Sequence, residues 1–315
     1  MAAFTFPGDV FAQTERKPLI ALLAAGGKGS GVAWYGGILE GMRAHGYVEG
    51  RDFVYEERYA DSDLARLPAL ANELIALRPD VLIAGTSPAT VAAAQATSTI
   101  PIVGINLSEP VKIGLALTEA RPGKNVTGTL ISVPGLIGKR LGLAKEVFPH
   151  ARRIGVLLNP DNPITTSVAA ELAAVSRTGT LELSWQTATV EAHYKTAFRE
   201  FARQECAVVI VQSDTLFGNS RRQLAAFALV NRLPTLFAYR DHVEDGGLLS
   251  YGVSLRANYR RAGYFVDRIL KGAKAADLPI EFPTQLELVI NMATARALEV
   301  EIPPSVLATA DEVIE

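Results

Sequence analysis

The stretch Val81 to Pro110, VLIAGTSPATVAAAQATSTIPIVGINLSEP, decides the fold class. Val81 to Ala84 is a short, continuous apolar run, the mark of a strand buried on both faces. It stops at Gly85-Thr86-Ser87-Pro88. Ser87 is a good helix N-cap and Pro88 suits the first helical position, so a helix is expected to about Ala96. Pro101 starts a second buried strand, Ile102 to Ile105, which ends in the polar loop Asn106-Leu107-Ser108-Glu109-Pro110. Two adjacent parallel strands release two polar loops at their carboxyl ends, where open α/β sheets bind ligands. Free N–H groups at the helix start, with the hydroxyls of Thr86, Ser87 and Thr90, suit an anion. An ordinary capped helix accounts for the same residues.

Outward from this stretch the pattern repeats. Upstream, Leu19 to Leu23 is a buried strand that runs into the glycine-rich loop Gly26-Gly27-Lys28-Gly29-Ser30-Gly31. Neither nucleotide template fits it: no Gly-Lys-Ser/Thr is present, and Val32 and Trp34 stand where Gly-x-Gly-x-x-Gly needs its last glycine. The loop, Gly27 included, reads as backbone able to approach a ligand closely. Trp34, Ile38 and Met42 repeat at helical spacing, and Gly46 marks that helix's end. Phe53 to Tyr59 is a polar, edge-type strand. Leu64, Leu67, Leu70, Ala71, Leu74 and Ile75 stripe a helix whose regular part starts at Pro68.

Downstream, Val126 to Thr129 is a short strand, followed by a turn at Ser132-Val133-Pro134-Gly135 and a helix from Leu136 to Phe148. The alternation then restarts: strands at 154–158, 181–185, 208–211 and 235–238, with helices at 167–176, 192–203 and 219–231 between them. A strand at 248–251, a long helix striped by Ala262, Phe265, Val266, Ile269 and Leu270, and a final strand at 286–290 complete the chain. Strand–helix alternation occurring twice points to an α/β protein of two Rossmann-like lobes. The late elements exceed what the second lobe needs, so some return to the first.

Composition narrows the function. The 315 residues are 49% hydrophobic and 20% charged, with a net charge of -2, which gives no electrostatic reason for a nucleic-acid or anionic-membrane partner. No apolar run approaches the ~20 residues of a spanning helix. The single cysteine, Cys206, excludes an internal disulfide and a multi-cysteine zinc site, and its setting reads as the start of a buried strand. His45, His150, His193 and His242 have no metal-ligand spacing, so neither metal nor other cofactor is expected. There is no Gly-x-Ser-x-Gly elbow and no His-Glu-x-x-His, and an enzyme is not expected. Residues 1–13, MAAFTFPGDVFAQ, fit either the tail of a secretory signal or a disordered leader.

What recurs instead is a polar loop after each buried strand. Asn159-Pro160-Asp161-Asn162 follows Leu158; Gln212-Ser213-Asp214-Thr215-Leu216-Phe217 follows Val211; Tyr239-Arg240-Asp241 follows Ala238. Two lobes turning such rims toward each other would hold a small ligand, with hydroxyls and a helix N-terminus on one wall and the Asp214 carboxylate on the other. Such a site suits a ligand with an anionic and a cationic group. Trp34, Phe217, Tyr239 and Tyr251 are candidates to stack on an apolar or aromatic part, although core packing accounts for each singly.

The C-terminal third carries a family resemblance, in Gly246-Gly-Leu-Leu-Ser-Tyr-Gly252, the run Tyr264 to Lys274, Asp277-Leu-Pro279, Pro283-Thr284, Leu286 to Asn291 and Ala310 to Glu315. Earlier pieces are Gly46-Tyr-Val-Glu-Gly50, Pro79-Asp80-Val81, Ile100-Pro-Ile102 and Arg121 to Gly128. Together, from about Lys17 to Glu315, the chain resembles the ABC-transporter substrate-binding proteins that include tryptophan/tyrosine-binding members. The resemblance implies a type I periplasmic binding protein: a monomer closing over a small organic ligand, amino-acid-like or an aromatic carboxylate, and handing it to a membrane permease. It implies three inter-lobe crossings, near 125–132, 249–254 and 283–288. The lobes then comprise 17–125 plus 253–285 and 126–252 plus 286–315, with 1–16 as signal remnant or disordered leader. It places Thr86, Ser87 and Asn106 to Pro110, including Ser108 and Glu109, against the ligand, and Asp214 on the opposite lobe. The full expected set is Gly27, Trp34, Thr86, Ser87, Thr90, Asn106, Ser108, Glu109, Ser132, Asn159, Asp161, Asp214, Thr215, Phe217, Tyr239 and Tyr251. Glu109 stands where Asp is usual in the family, which leaves the ligand's identity open. The alternative is the effector-binding domain of a transcriptional regulator, which shares the fold and would need a helix-turn-helix module ahead of Leu19.

Overall fold

The computed structural model describes residues 16–28, 32–162, 164–176 and 181–315. The expectations for residues 1–13 and for Gly29 to Gly31 lie outside them. In chain order the elements are β1 (Leu19–Ala24), α1 (Val32–Ala44), β2 (Val54–Tyr59), α2 (Leu67–Ala76), β3 (Val81–Gly85), α3 (Ser87–Ala96), β4 (Ile102–Leu107) and β5 (Val126–Leu130). Next come α4 (Leu136–Val147), β6 (Arg153–Leu158), α5 (Thr165–Ser176), β7 (Glu182–Thr187), α6 (Tyr194–Arg203), β8 (Val209–Val211), α7 (Thr215–Asn219), α8 (Arg221–Val230), β9 (Thr235–Phe237) and α9 (Arg240–Glu244). The chain closes with β10 (Leu249–Val253), α10 (Leu255–Leu270), β11 (Ile280–Glu281), β12 (Leu286–Asn291), α11 (Met292–Leu298), α12 (Pro304–Thr309) and β13 (Glu312–Ile314).

Two sheets result. The first runs β11-β5-β4-β3-β1-β2 and the second β13-β12-β10-β9-β8-β6-β7. Pairing of β1 with β2 and β3, and of β6 with β7 and β8, is parallel; the β10–β12 pair is antiparallel. The chain divides into two compact units: Met1–Ile105, Pro110–Gly128 and Arg260–Pro279 form one, and Asn106–Glu109, Thr129–Tyr259 and Ile280–Glu315 the other. The main divisions therefore fall after Gly128, Tyr259 and Pro279, against expected ones after 125, 252 and 285.

The central strands form because their residues are apolar on both faces: every residue of β3 and β4 is buried. The polar strand at 53–59 is indeed an edge, as is β7. In the first unit the backbones of α1 and α10 touch. A Cβ on Gly41 would lie 2.0 Å from the Arg260 carbonyl oxygen, and one on Gly263 2.2 Å from the Gly41 carbonyl carbon. The β4–β5 pair is equally close, since a Cβ on Gly128 would come 1.7 Å from the Gly104 oxygen. The second unit has an aliphatic layer built on Val156, Ile210, Leu236 and Ile290, and an aromatic-rich layer built on Tyr194, Phe198, Phe201 and Phe237.

Three expectations need correction. The strand at 286–290 is not the last: β13 follows and pairs with β12. Its short, half-exposed sequence carries little apolar signal. The helix expected over 219–231 is α8, which starts at Arg221, and the short α7, not expected, precedes it; Ser220 separates the two, and its hydroxyl donates to Glu191 at 2.7 Å. Cys206 is buried, as expected, but in the loop ahead of β8 rather than at its start.

Candidate functional site

In each sheet the strand order reverses beside the first strand of its unit. In the first, β1 has β2 on one side and β3 on the other; in the second, β6 lies between β7 and β8. Ligands of open α/β sheets bind at the carboxyl ends of the strands flanking such a reversal. The loops so selected are the ends of β1 and β3 in the first unit, and of β6 and β8 in the second.

The loop after β3 is strained. Thr86 adopts φ 122°, a conformation that costs a β-branched residue about 1–3 kcal/mol. Its N–H donates to the Ile105 carbonyl at 2.9 Å, tying the turn to β4. Its hydroxyl is buried without a hydrogen-bond partner among the described residues. Thr86, not Ser87, is the cap residue of α3, and its side chain makes no capping bond. The expectation for Ser87 is thereby corrected: Ser87 is the first residue of the helix and Pro88 the second. Thr90 is fully buried and donates to the Thr86 carbonyl at 2.8 Å. Its hydroxyl thus supports the turn from inside and is withdrawn from the set of direct ligand contacts. Asn106, near the end of β4 (φ 59°), and Glu109, in the loop after it (φ 45°), are left-handed. Asn106 is buried and accepts from Asn258 at 2.7 Å, whereas Ser108 is half-buried and Glu109 exposed. Gly27 and Trp34 are half-buried. Beside Gly27, Lys28 pairs with Glu57 at 3.4 Å.

In the second unit Asp214 organises both rim loops. Its carboxylate accepts from Leu216 N at 2.8 Å, capping α7, from Asn162 Nδ2 at 2.7 Å, and from Asn159 Nδ2 at 3.2 Å to each oxygen. Gln212, buried behind them, accepts from Asn159 N at 2.9 Å and donates to Thr165 at 2.8 Å. Asp161 and Thr215 are exposed at the tips of these loops, and Ser132 is exposed ahead of α4. Tyr239, half-buried, shares a 2.6 Å hydrogen bond with Ser213. Phe217 is fully buried and packs edge-on against Tyr194 at 6.0 Å, so it belongs to the core and not to the ligand-stacking set.

Sequence reasoning quoted Asn162, Gln212 and Ser213 in their loops but left them out of the expected site. It missed Arg140 altogether. Arg140 sits on the buried stripe of α4 with Ile137, Leu141, Ala144 and Val147, and is 5% exposed. Its Nε donates to the Tyr251 carbonyl at 2.6 Å. A basic residue in register with an apolar stripe is the signal that would have found it. Among the described residues no cluster of His, Cys, Asp and Glu could hold a metal, and no helix is long and apolar enough to cross a membrane.

Two α/β units with polar, hydrogen-bonded loops on their carboxyl-end rims suit a protein that binds small solutes. The chain belongs to the ABC transporter substrate-binding protein family, whose model matches residues 26–314. It is 24% identical over 265 residues to a tyrosine-binding protein of Clostridioides difficile, covering 84% of this chain and 76% of that one. Among solved structures it is similar to a conserved domain protein of Vibrio cholerae (27% identity, TM-score 0.83, covering 95% of this chain and 100% of that one). It is also similar in fold to an ABC domain in complex with L-Trp from Streptococcus pneumonia (23% identity, TM-score 0.83, covering 95% and 100%). The family and its neighbours bind solutes and are not enzymes.

Proposed function

We propose that this protein is the periplasmic solute-binding component of an ABC importer and captures a small amino-acid-like or aromatic carboxylate. It delivers the ligand as a monomer to a membrane permease. The observation that carries the reading is the turn after β3: a strained Thr86 with a buried, unpartnered hydroxyl, at the start of a helix and beside the strand-order reversal. Strain of this kind persists where function requires it. Thr86, Ser87 and the N-terminus of α3 hold an acidic group of the ligand. Asp214, with Asn159, Asp161 and Thr215 around it, receives a cationic group. Tyr239 and Tyr251 supply aromatic surface, as does Trp34, and Gly27, Asn106, Ser108, Glu109 and Ser132 complete the contacts. Related chains whose names record L-Trp or tyrosine binding support the ligand class.

The test is a calorimetric and thermal-shift screen of amino acids, their des-amino analogues and aromatic acids, on protein refolded from denaturant to strip bound ligand. A binder at a hundredfold excess over Kd stabilises by about 2.7 kcal/mol. A sharp hit among amino-acid-like or aromatic carboxylates is expected; stabilisation by sugars or polyols alone would overturn the ligand class.

A further inference from the structure

The second unit contains a buried cation with no counterion among the described residues. Arg140 is 5% exposed, yet the described residues give its guanidinium one acceptor, the Tyr251 carbonyl. Its two terminal nitrogens have none, and it forms no ion pair among those residues. Glu171, which accepts from the Gly138 N–H at 3.2 Å, acts on its charge only at longer range, as do the phenols of Tyr239 and Tyr251. Burial consequently pulls the Arg140 pKa down to about 10. A buried arginine with a protein partner normally makes a bidentate pair with a carboxylate, because its planar fork matches two oxygens. An isolated buried charge is costly and is retained where something pairs with it.

Its place in the fold says where that partner comes from. β10 runs parallel to β9, so Tyr251 and Gly252 lie at the same carboxyl-end rim as Tyr239. A Cβ on Gly252 would come 3.0 Å from Arg140 Nη2 and 1.9 Å from the Ala238 carbonyl oxygen. The bare glycine therefore keeps a side chain off the guanidinium and leaves its outer edge beside the two half-buried tyrosines.

We propose that Arg140 is an anion-binding residue of the solute site and pairs with a carboxylate of the ligand. The inference rests on the solute-binding reading and deepens it. With one acidic group already assigned to the Thr86–Ser87 turn, a second anion-holding residue selects a ligand with two acidic groups over a monoacid. Tyr239 and Tyr251 beside Arg140 favour an aromatic or short aliphatic diacid.

The test uses the full chain, refolded from denaturant, with glutarate, terephthalate, L-tyrosine and L-tryptophan as probes and sodium chloride at matched ionic strength as control. At least one diacid is expected to raise the wild-type melting temperature. Arg140→Gln should melt no lower than wild type without ligand, because it removes an unpaired buried charge, and its diacid affinity should fall about ten- to hundredfold. A structural role for Arg140 would lower the ligand-free melting temperature and leave diacid affinity unchanged, which overturns the inference. So does a wild type that none of the four carboxylates stabilises. Equal binding of L-tyrosine or L-tryptophan by both proteins, with no diacid effect, leaves the solute-binding reading standing and defeats the role of Arg140. A diacid shift that depends on Arg140, with no amino acid bound, does the reverse to the amino-acid assignment. Should Arg140→Gln fail to fold, Arg140→Lys decides. An ammonium cannot pair bidentately, so diacid binding must weaken more than chloride-corrected monoacid binding, and equal weakening overturns the inference.

Discussion

Asp214→Asn is nearly isosteric and removes one charge, so it separates what the Asp214 carboxylate does for the fold from what it does for a ligand. In the ligand-free protein the carboxylate accepts from the Leu216 N–H, from Asn162 and from Asn159. An asparagine keeps one accepting oxygen and can still cap α7. Its NH2 group, however, must face at least one of the two asparagine amides, donor against donor. The remaining bonds lose their charge assistance, a difference of about 1 kcal/mol between charged and neutral hydrogen bonds, and the lost contact costs about another. About 2 kcal/mol in all corresponds to roughly 4–8 °C in melting temperature for a domain of this size. Differential scanning calorimetry of the ligand-free variant measures it. Calorimetric titration then compares L-tryptophan with indole-3-propionate, which lacks the amine. If Asp214 meets the ligand cation, affinity for the amine-bearing compound falls about ten- to hundredfold and that for its analogue much less. A melting temperature within about 1 °C of wild type would refute the structural argument. Equal weakening of both ligands would refute the electrostatic one and leave Asp214 as a scaffold of its loops.

Two further substitutions test other parts of the structure. Thr86→Gly relieves a φ of 122° and removes an unpartnered buried hydroxyl, so ligand-free stability should rise by about 1 kcal/mol after the entropic cost of glycine, while ligand affinity falls; a loss of stability by urea titration would contradict the strain. His242, stacked on Phe237 at 4.6 Å, has its pKa lowered to about 4 by burial and then by the charge of Arg221. The unfolded chain therefore binds a proton near pH 6.5 that the folded chain refuses. Stability should fall as pH drops from about 6.5 to 4, by up to roughly 3 kcal/mol, and level off below; His242→Gln should flatten that slope in calorimetry across the range, and an unchanged slope would remove His242 as its source.

Much of this was legible in the sequence because local rules act there without competition. The buried strands at 81–84, 102–105, 154–158 and 208–211 are continuous apolar runs between turn residues, the pattern of strands covered on both faces of a parallel sheet. Their polar C-terminal loops named Thr86, Ser87, Asn159 and Asp214 as rim residues, since alternating strands and helices put every such loop on one edge. The family, too, was carried by short motifs in order. Tertiary structure alone decided which hydroxyls and rings point where. Thr90 and Phe217 sit one helical turn or less from rim residues, and whether such a side chain enters the core depends on what packs behind it. That information is in Tyr194 and in the Thr86 carbonyl, not in the local pattern. The late strand β13 and the bare guanidinium of Arg140 were hidden for the same reason. A strand of three residues needs β12 to exist, and an arginine on an apolar stripe is unremarkable until the structure shows that no carboxylate among the described residues comes to meet it.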